Sequence, residues 1–264
     1  MHRTDLEASR AENPNFAGTL AKGLMILQAF VEQPRPLANS ELATKLGLSR
    51  PTVSRLCRTL LELGYLDHDE RIDRYFIGPA AVALGYPYIV NAPLRLHARP
   101  AMQALADRIE GAVSIGVAMD LDVVYFETCS FQRGTLARPD VGARRGIAET
   151  AMGRAWIATL EAGARGEVVA RLHAERPDEM KRCAAGLEES VARQSERGFA
   201  VNFGDAGMGV YGVGLASRVR YGARTLLFNC AVPGAQWRPS DLVSRLGPSL
   251  VELVRSVERS AGVH

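Results

Sequence analysis

The chain has 264 residues, enough for two modest domains or one large one. Its content of 47% hydrophobic and 23% charged residues is typical of a soluble globular protein, and no apolar run approaches the roughly 18 residues that span a bilayer. The polar N-terminus lacks the apolar core of a signal peptide, so we expect a cytoplasmic protein with a disordered leader over residues 1–15. The net charge of +3 does not by itself indicate a nucleic-acid partner.

The residues that carry metal or catalytic chemistry form no recognisable constellation. The four cysteines are scattered, with no CxxC pair and no histidine at metal-ligand spacing, so we expect buried reduced thiols, no metal site and no cofactor. No Ser-His-acid or Cys-His arrangement is evident, so no catalytic residue is predicted. Residues 207–212 match the dinucleotide pattern GxGxxG, but that motif needs a following helix, and a strand is predicted there.

Two helical patterns follow the leader. The first runs from Thr19, as its N-cap, to Glu32, and Pro34 closes it. A shorter helix starts after Ser40 and ends at Gly47, where a left-handed backbone suits glycine. The apolar residues that define the first pattern recur at spacings of three and four: Leu20, Leu24, Leu27 and Val31.

A third helix has a basic outer face. Ser49 is predicted to cap it, and no acid occurs from Leu42 to Leu61. A short helix, a glycine turn and a second helix with a small, polar and basic face form the helix-turn-helix layout, in which arginines reach guanine edges or phosphates in the major groove. The residues of this helix predicted to contact DNA are Ser49, Arg50, Pro51, Thr52, Ser54, Arg55 and Arg58.

Two β-prone runs come next, at 65–68 and 75–77, separated by a polar turn. Such a hairpin is typical of a wing, and Arg71 and Arg74 at its tip are predicted to contact phosphate or the minor groove. Taken singly, each arginine is more simply a solvated surface charge. The ordered set of helix, turn, helix and hairpin therefore carries the prediction, with a helical domain for protein contacts as the alternative.

The rest of the chain predicts a larger α+β domain. Strands, then helices, then strands again indicate helices on an antiparallel sheet. The predicted elements are a helical stretch over 80–110 interrupted at 91–93, a hairpin of 113–119 and 123–128, a helix from about Thr150, a long helix over 178–198, central strands at 209–218 and 224–232, and a final helix capped by Ser240.

Together these residues resemble the IclR family of regulators from about Phe16 onward. The matching segments are Ser49–Leu56, Leu63–Leu66, Tyr75–Pro79, Thr150–Ala155, Arg197–Val201 and Met208–Val210. The resemblance implies a winged helix-turn-helix over 16–79, a linker helix over 80–96 and an effector-binding domain with a GAF-like fold over 97–264.

The resemblance also implies a ligand pocket between the sheet and a loop–helix element. The residues that it places there are Ala137, Ala151, Met152, Asn202, Val210, Gly212, Asn229 and Ala231. Asn202 stands where the family usually has an acid, and amides both donate and accept hydrogen bonds. A small organic acid or a related carbonyl metabolite is the expected effector, although Glu149 would repel an anion unless it points to solvent. Alternatively, these residues only pack a core.

The expected function is a ligand-responsive DNA-binding transcriptional regulator, acting as a repressor and not as an enzyme. Its expected partners are a double-stranded DNA operator, a small-molecule effector and a second copy of the chain, because helix-turn-helix proteins commonly bind near-palindromic sites as dimers. The resemblance further implies that two dimers associate through their sensor domains. Pro51 and Ser54 depart from the family's usual residues, which affects the expected operator sequence. Two alternatives stay open: a DNA-binding assembly protein without a ligand, and an enzyme built on the C-terminal domain.

Overall fold

The computed structural model describes residues 13–131, 141–205, 207 and 209–263. The chain divides into two compact units, the first ending at Asn91 and the second beginning at Ala92. The domain limits inferred from the sequence, with a linker helix over 80–96, stay a prediction.

The described part of the first unit, residues 13–91, has three helices, a hairpin and a fourth helix. Its elements are α1 (Gly18–Glu32), α2 (Asn39–Leu46), α3 (Arg50–Glu62), β1 (Leu66–Asp69), β2 (Arg74–Ile77) and α4 (Pro79–Val90). The two strands are antiparallel, with Leu66 opposite Ile77. The core joins the first three helices around Ile26, Leu42 and Val53, none of which is exposed to solvent. This is the predicted winged helix-turn-helix.

The turn between α2 and α3 forms as predicted. Gly47 ends α2 with φ of 63°, a left-handed conformation that glycine adopts without steric cost. Ser49 is the N-cap of α3, and its Oγ accepts a hydrogen bond from the Thr52 backbone N–H at 3.4 Å. Pro51 fits the first turn because its missing N–H would have no intrahelical partner there.

The spacing of the leucines correctly predicts a helix at α1, but the face that it marks as apolar is the exposed one. Leu20, Leu24 and Val31 are 64%, 47% and 48% exposed. The buried residues of this helix are instead Met25, Ile26, Ala29 and Phe30. The helix therefore carries apolar residues on two faces. Its N-cap is Ala17 rather than the predicted Thr19, because the helix begins two residues earlier than predicted, at Gly18.

The second unit is a six-stranded antiparallel sheet with helices on both faces. Its elements are α5 (Pro93–Ile109), β3 (Ala112–Met119), β4 (Asp122–Ser130), β5 (Arg144–Gly146), α6 (Ala151–Thr159), α7 (Ala162–Glu175), α8 (Pro177–Arg197), β6 (Ala200–Asn202), β7 (Val210–Tyr221), β8 (Arg224–Pro233), a 3₁₀ turn (Gly234–Gln236), α9 (Pro239–Asp241), a π-helical turn (Leu242–Leu246) and α10 (Gly247–Ser260). The strand order is β5-β4-β3-β8-β7-β6. The predicted α+β class, with an antiparallel sheet and flanking helices, is confirmed.

Adjacent residues of one strand pack on opposite faces of this sheet. Phe228 lies with Met102 of α5 and Leu250 of α10 in one hydrophobic core. Its neighbour Leu227 lies with Met152 of α6 in a second core. This division follows from the alternation of side chains along a strand.

Three predictions for this unit need correction. The strands β3 and β8 are central, whereas β7 is next to the edge strand β6. The final helix starts at Pro239 instead of being capped by Ser240, since the fixed φ of proline suits a first helical position. A π-helical turn then separates α9 from α10.

All four cysteines are buried and unpaired, as predicted. Burial raises the pKa of the Cys57 thiol to about 12 and also raises the pKa of the Cys230 thiol. Both thiols are therefore protonated at neutral pH and are poor nucleophiles.

Candidate functional site

Helix α3 presents a polar and basic face to solvent. Its apolar side buries Val53, Leu56 and Leu60 in the core of the first unit. Most of the residues predicted to contact DNA are exposed, namely Ser49, Arg50, Pro51, Ser54, Arg55 and Arg58, whereas Thr52 is half-buried. The amphipathic pattern thus docks the helix and leaves its basic side uncovered.

Of the three arginines on this face, Arg50 and Arg55 have no ion-pair partner among the described residues. Arg58 lies 3.4 Å from Glu62, four residues along the helix, and both side chains are more than two-thirds exposed. Exposed pairs of this kind contribute little stability and exchange readily with other partners. The face can therefore offer three positive charges to an anionic surface.

The two wing arginines differ in their surroundings. Arg71 is exposed and bonds Asp69 twice, at 3.0 and 3.2 Å, and these bonds hold the pKa of the Asp69 carboxyl below its usual range. Arg74, the first residue of β2, points back toward α2. There it donates to the Pro36 carbonyl at 3.3 Å and contacts Glu41.

Glu41 joins the wing to the start of α2. Its carboxylate accepts a hydrogen bond from the Ala38 backbone N–H at 2.8 Å and pairs with Arg35 at 2.9 Å. These bonds, with that of Arg74, lower the pKa of Glu41 from 4.5 to about 2. Glu41 is thus ionised at neutral pH and ties the hairpin to the helix-turn-helix.

The first unit also exposes many apolar side chains. Helix α4 buries none of its described residues, although its sequence is almost wholly apolar. The large exposed apolar residues of α1 and α4 are Leu20, Leu24, Val31, Val82, Leu84, Tyr86, Tyr88 and Val90. Exposed apolar side chains that form one contiguous patch are typical of an interaction surface.

In the second unit, the N-terminus of α6 lies directly on β7. A side chain on Gly214 would place its Cβ 2.0 Å from the Met152 backbone nitrogen, so only glycine fits under the helix. Thr150 caps the helix by accepting the Gly153 N–H at 3.0 Å. The first N–H groups of a helix have no intrahelical acceptor, which makes its N-terminus attractive to oxygen atoms.

Beside this helix end, the sheet carries small and polar residues. Gly212 is paired with Ala231, and Gly214 with Asn229. A Cβ on Gly212 would lie 3.7 Å from both the Ala151 Cβ and the Asn229 Oδ1. It would also lie 3.3 Å from the Cys230 carbonyl oxygen, so the corner is already closely packed around Gly212.

Asn229 is the polar group of this corner. Its side chain is 7% exposed, and no described residue forms a hydrogen bond with its amide. Its neighbour across the sheet is Ser114, whose hydroxyl lies 3.0 Å from that of Thr128.

Asn202 is paired with Gly212 across the sheet, but its side chain has other partners. Its Oδ1 accepts hydrogen bonds from the backbone N–H groups of Gly204 and Asp205, at 2.8 and 3.1 Å. Its Nδ2 donates to the Glu149 carbonyl at 2.6 Å. The Asn202 amide therefore shapes the turn after β6.

The other predicted pocket residues are placed as follows. The Met152 side chain is fully buried in the core between α6 and the sheet, while Ala151 reaches the corner. Val210 is half-buried, two residues before Gly212 on the same face of β7. Ala137 lies outside the described residues. Ala151, Gly212, Asn229 and Ala231 thus meet at one end of the sheet.

Comparison with known proteins gives a family-model match and full-length relatives. Residues 19–70 match the IclR helix-turn-helix domain. The HTH-type transcriptional regulator TsaQ1/TsaQ2 of Comamonas testosteroni is 31% identical over 245 residues, covering 91% of this chain and 87% of that protein. The chain belongs to the IclR family. It is accordingly a DNA-binding transcriptional regulator.

Solved structures of IclR proteins share the whole fold. That of an IclR family transcriptional regulator from Brucella abortus has 29% identity and a TM-score of 0.84, with 95% of each chain covered. An IclR homolog from Microbacterium hydrocarbonoxydans, complexed with 4-hydroxybenzoate, has 18% identity and a TM-score of 0.69, with 91% of this chain and 99% of that chain covered. The similarity to the Microbacterium protein is one of fold alone.

Two features of this IclR protein escape sequence reasoning. Ser114 and Thr128 reach the Asn229 corner only through strand pairing, which no local pattern predicts. Glu149 ion-pairs with Arg182 of α8, an interaction between residues far apart in the chain. The negative charge of Glu149 is thereby balanced. The expectation that Glu149 would repel an anionic ligand did not include this ion pair.

Over the described ranges of this IclR chain, no helix is long and apolar enough to cross a membrane. The same ranges contain no group of three or more His, Cys, Asp or Glu side chains suited to hold a metal ion.

Proposed function

We propose that this protein is a ligand-responsive repressor that inserts α3 into the major groove of its operator. The observation that carries the proposal is the exposed basic face of α3, on which Arg50 and Arg55 have no partner among the described residues. Arginine donates two hydrogen bonds to a guanine edge, and each such contact discriminates by about 1–3 kcal/mol. Ser49, Thr52 and Ser54 supply further donors for phosphate or base edges, and Pro51 contributes an apolar contact.

Within the wing we propose a division of labour. Arg71 is exposed at the turn, so it can exchange Asp69 for a backbone phosphate. Arg74 is held by Glu41 and the Pro36 carbonyl, so we assign it to fixing the hairpin on the helix-turn-helix. The predicted DNA contact of Arg74 would require it to leave these partners.

We propose that the protein binds DNA as a homodimer, formed through the exposed apolar residues of α1 and α4. Burial of apolar surface contributes roughly 25 cal/mol per Å², and these side chains are left uncovered in a single copy. A dimer also supplies two reading helices for two half-sites. Association of two dimers through the sensor units is part of the same proposal.

We propose that the effector binds where α6 meets β7. The helix N-terminus favours a carboxylate or carbonyl oxygen, and the Asn229 amide provides a second polar partner without competition from described residues. Gly212, Ala151 and Ala231 are the small residues of this corner, and Val210 adds apolar lining. Asn202 supports the pocket by holding the turn after β6. These groups suit a small organic acid or a related carbonyl compound.

The ligand of one structural relative supplies a first probe. The Microbacterium homolog is complexed with 4-hydroxybenzoate, whose carboxylate could lie at the N-terminus of α6. We propose aromatic carboxylates as the first class to test. The expected result is that one of them raises the unfolding temperature of the wild type and releases the operator.

The matched controls are benzamide, which lacks the negative charge, and the variant Ser244→Ala, which removes a hydroxyl bonded only within its own helical segment. An effector response that Asn229→Ala retains in full would contradict the proposed pocket. A protein whose operator affinity no small acid or carbonyl compound alters would contradict ligand control altogether.

A further inference from the structure

Arg154 is a charged side chain inside the second unit. It projects from α6 and is 1% exposed. Its Nε donates to the Ala148 carbonyl at 2.7 Å, and its Nη1 donates to the Val201 carbonyl at 3.2 Å. Its Nη2 contacts the carboxylate of Asp205. One guanidinium thus bonds two segments that are far apart in the chain, the one before α6 and the one at β6.

This ion pair packs closely against helix α8. A Cβ on Gly186 of α8 would lie 2.3 Å from Arg154 Nη1 and 2.8 Å from Asp205 Oδ2. The pair therefore lies flat against the backbone of α8. A buried charge is tolerated only when it is paired and hydrogen-bonded, so removal of one partner has a large effect.

Both segments adjoin residues of the proposed pocket. Ala148 belongs to the segment 147–150, which leads into the N-terminus of α6. Val201 and Asp205 belong to β6 and to the turn at 202–205, which we call the β6 turn. Asn202 adds a second connection between them, because its amide bonds the Glu149 carbonyl and the β6 turn.

From these contacts we infer that Arg154 and Asp205 form the positioning pair of the effector pocket. The pair fixes the N-terminus of α6 relative to the β6 turn, and so sets the distance between the helix N–H groups and the sheet. Asp205 is 25% exposed, whereas Arg154 is 1% exposed. Asp205 is therefore the member that can leave the pair for solvent, while Arg154 keeps its two carbonyl acceptors.

This inference rests on the proposed pocket, but its structural half can be tested without any effector. Asp205→Asn removes the charge while keeping the shape, and Asp205→Glu restores the charge. Asp120→Asn is the matched control, because it removes the carboxylate of the exposed Arg171 pair elsewhere in the same unit. The full-length proteins would be compared by hydrogen–deuterium exchange, thermal unfolding and operator titration.

In Asp205→Asn, peptides covering 147–152 and 200–205 are expected to exchange about tenfold faster, as in local opening of a weakly held segment. Operator affinity stays within about twofold of the wild type, because the first unit is unchanged. In Asp205→Glu the same peptides exchange more slowly than in Asp205→Asn. In Asp120→Asn both peptides exchange at the wild-type rate. Equal exchange in Asp205→Asn and wild type would overturn the inference.

A titration with 4-hydroxybenzoate, monitored through the unfolding temperature, tests the link between the Arg154–Asp205 pair and effector binding. The expected half-saturating concentration rises about tenfold in Asp205→Asn, the usual scale for lost pre-organisation. Unchanged affinity alongside faster exchange would overturn the link between the pair and the pocket. If the wild type does not bind this probe, the proposed effector class fails, whereas the exchange result still decides whether the pair positions the two segments.

Discussion

Replacing Gly214 by alanine tests the packing on which the pocket depends. The new Cβ would lie 2.0 Å from the Met152 nitrogen and 2.1 Å from the Ala151 carbonyl carbon, both of them backbone atoms. An ordinary contact begins near 3.4 Å, so α6 would have to move by about 1.4 Å. Overpacking of this kind costs about 1–3 kcal/mol, and a contact with backbone belongs at the upper end because no rotamer relieves it.

The assay is urea unfolding followed by tryptophan fluorescence, because both tryptophans, Trp156 and Trp237, lie in the second unit. At a slope of about 1–3 kcal/mol per molar urea, a loss of 3 kcal/mol lowers the midpoint by at least about 1 M. Gly163→Ala is the control, since nothing lies within 4 Å of its added methyl group and alanine favours the helix. A Gly214→Ala midpoint equal to that of the wild type would refute the close contact of α6 with β7.

Three further predictions concern the dimer, the wing and the effector. Leu84→Glu is expected to sediment as a monomer. Leu63→Glu is the control, because Leu63 is similarly exposed but lies outside α1 and α4, and this variant stays dimeric. A dimeric Leu84→Glu protein would contradict the assigned surface. Glu41 has a lowered pKa, so it stabilises the fold above pH 4.5 and loses this effect as the pH falls toward 2. The free energies of unfolding of Glu41→Gln and the wild type should therefore converge at low pH. A difference that stays constant with pH would exclude the ionised Glu41 carboxylate as its origin. Asn229→Ala raises the half-saturating concentration of a bound aromatic carboxylate about tenfold in calorimetry, and unchanged binding excludes the amide as a ligand.

Local chemistry made the first unit predictable. Gly47 and Ser49 signal the end of α2 and the start of α3 through backbone preferences that involve few distant residues. The apolar spacing of α1 was less informative, because a helix with two apolar faces does not reveal which one meets the core. Leu20 and Leu24 match the pattern as well as Met25 does, yet they are exposed.

The proposed pocket was less predictable, because its residues come from strands far apart in the sequence. Asn229, Ser114 and Gly212 become neighbours through the register of β3, β7 and β8, which depends on the whole sheet. The family resemblance named most residues of the proposed pocket, but not the hydrogen bonds of their side chains. Asn202, expected to face a ligand, instead bonds the β6 turn, and the buried Arg154 matched a family motif without an assigned role.

The central claim is that the basic face of α3 reads an operator as part of a dimer. The most direct test selects bound sequences from a random DNA library with the wild type and with Arg55→Ala, using Arg171→Ala of the second unit as the charge-matched control. The wild type and the control are expected to select one inverted repeat, and Arg55→Ala should lose its preference at the same position of both half-sites, with affinity reduced by about 1–3 kcal/mol. An identical motif and affinity for Arg55→Ala, or a selected site without inverted symmetry, would contradict the account.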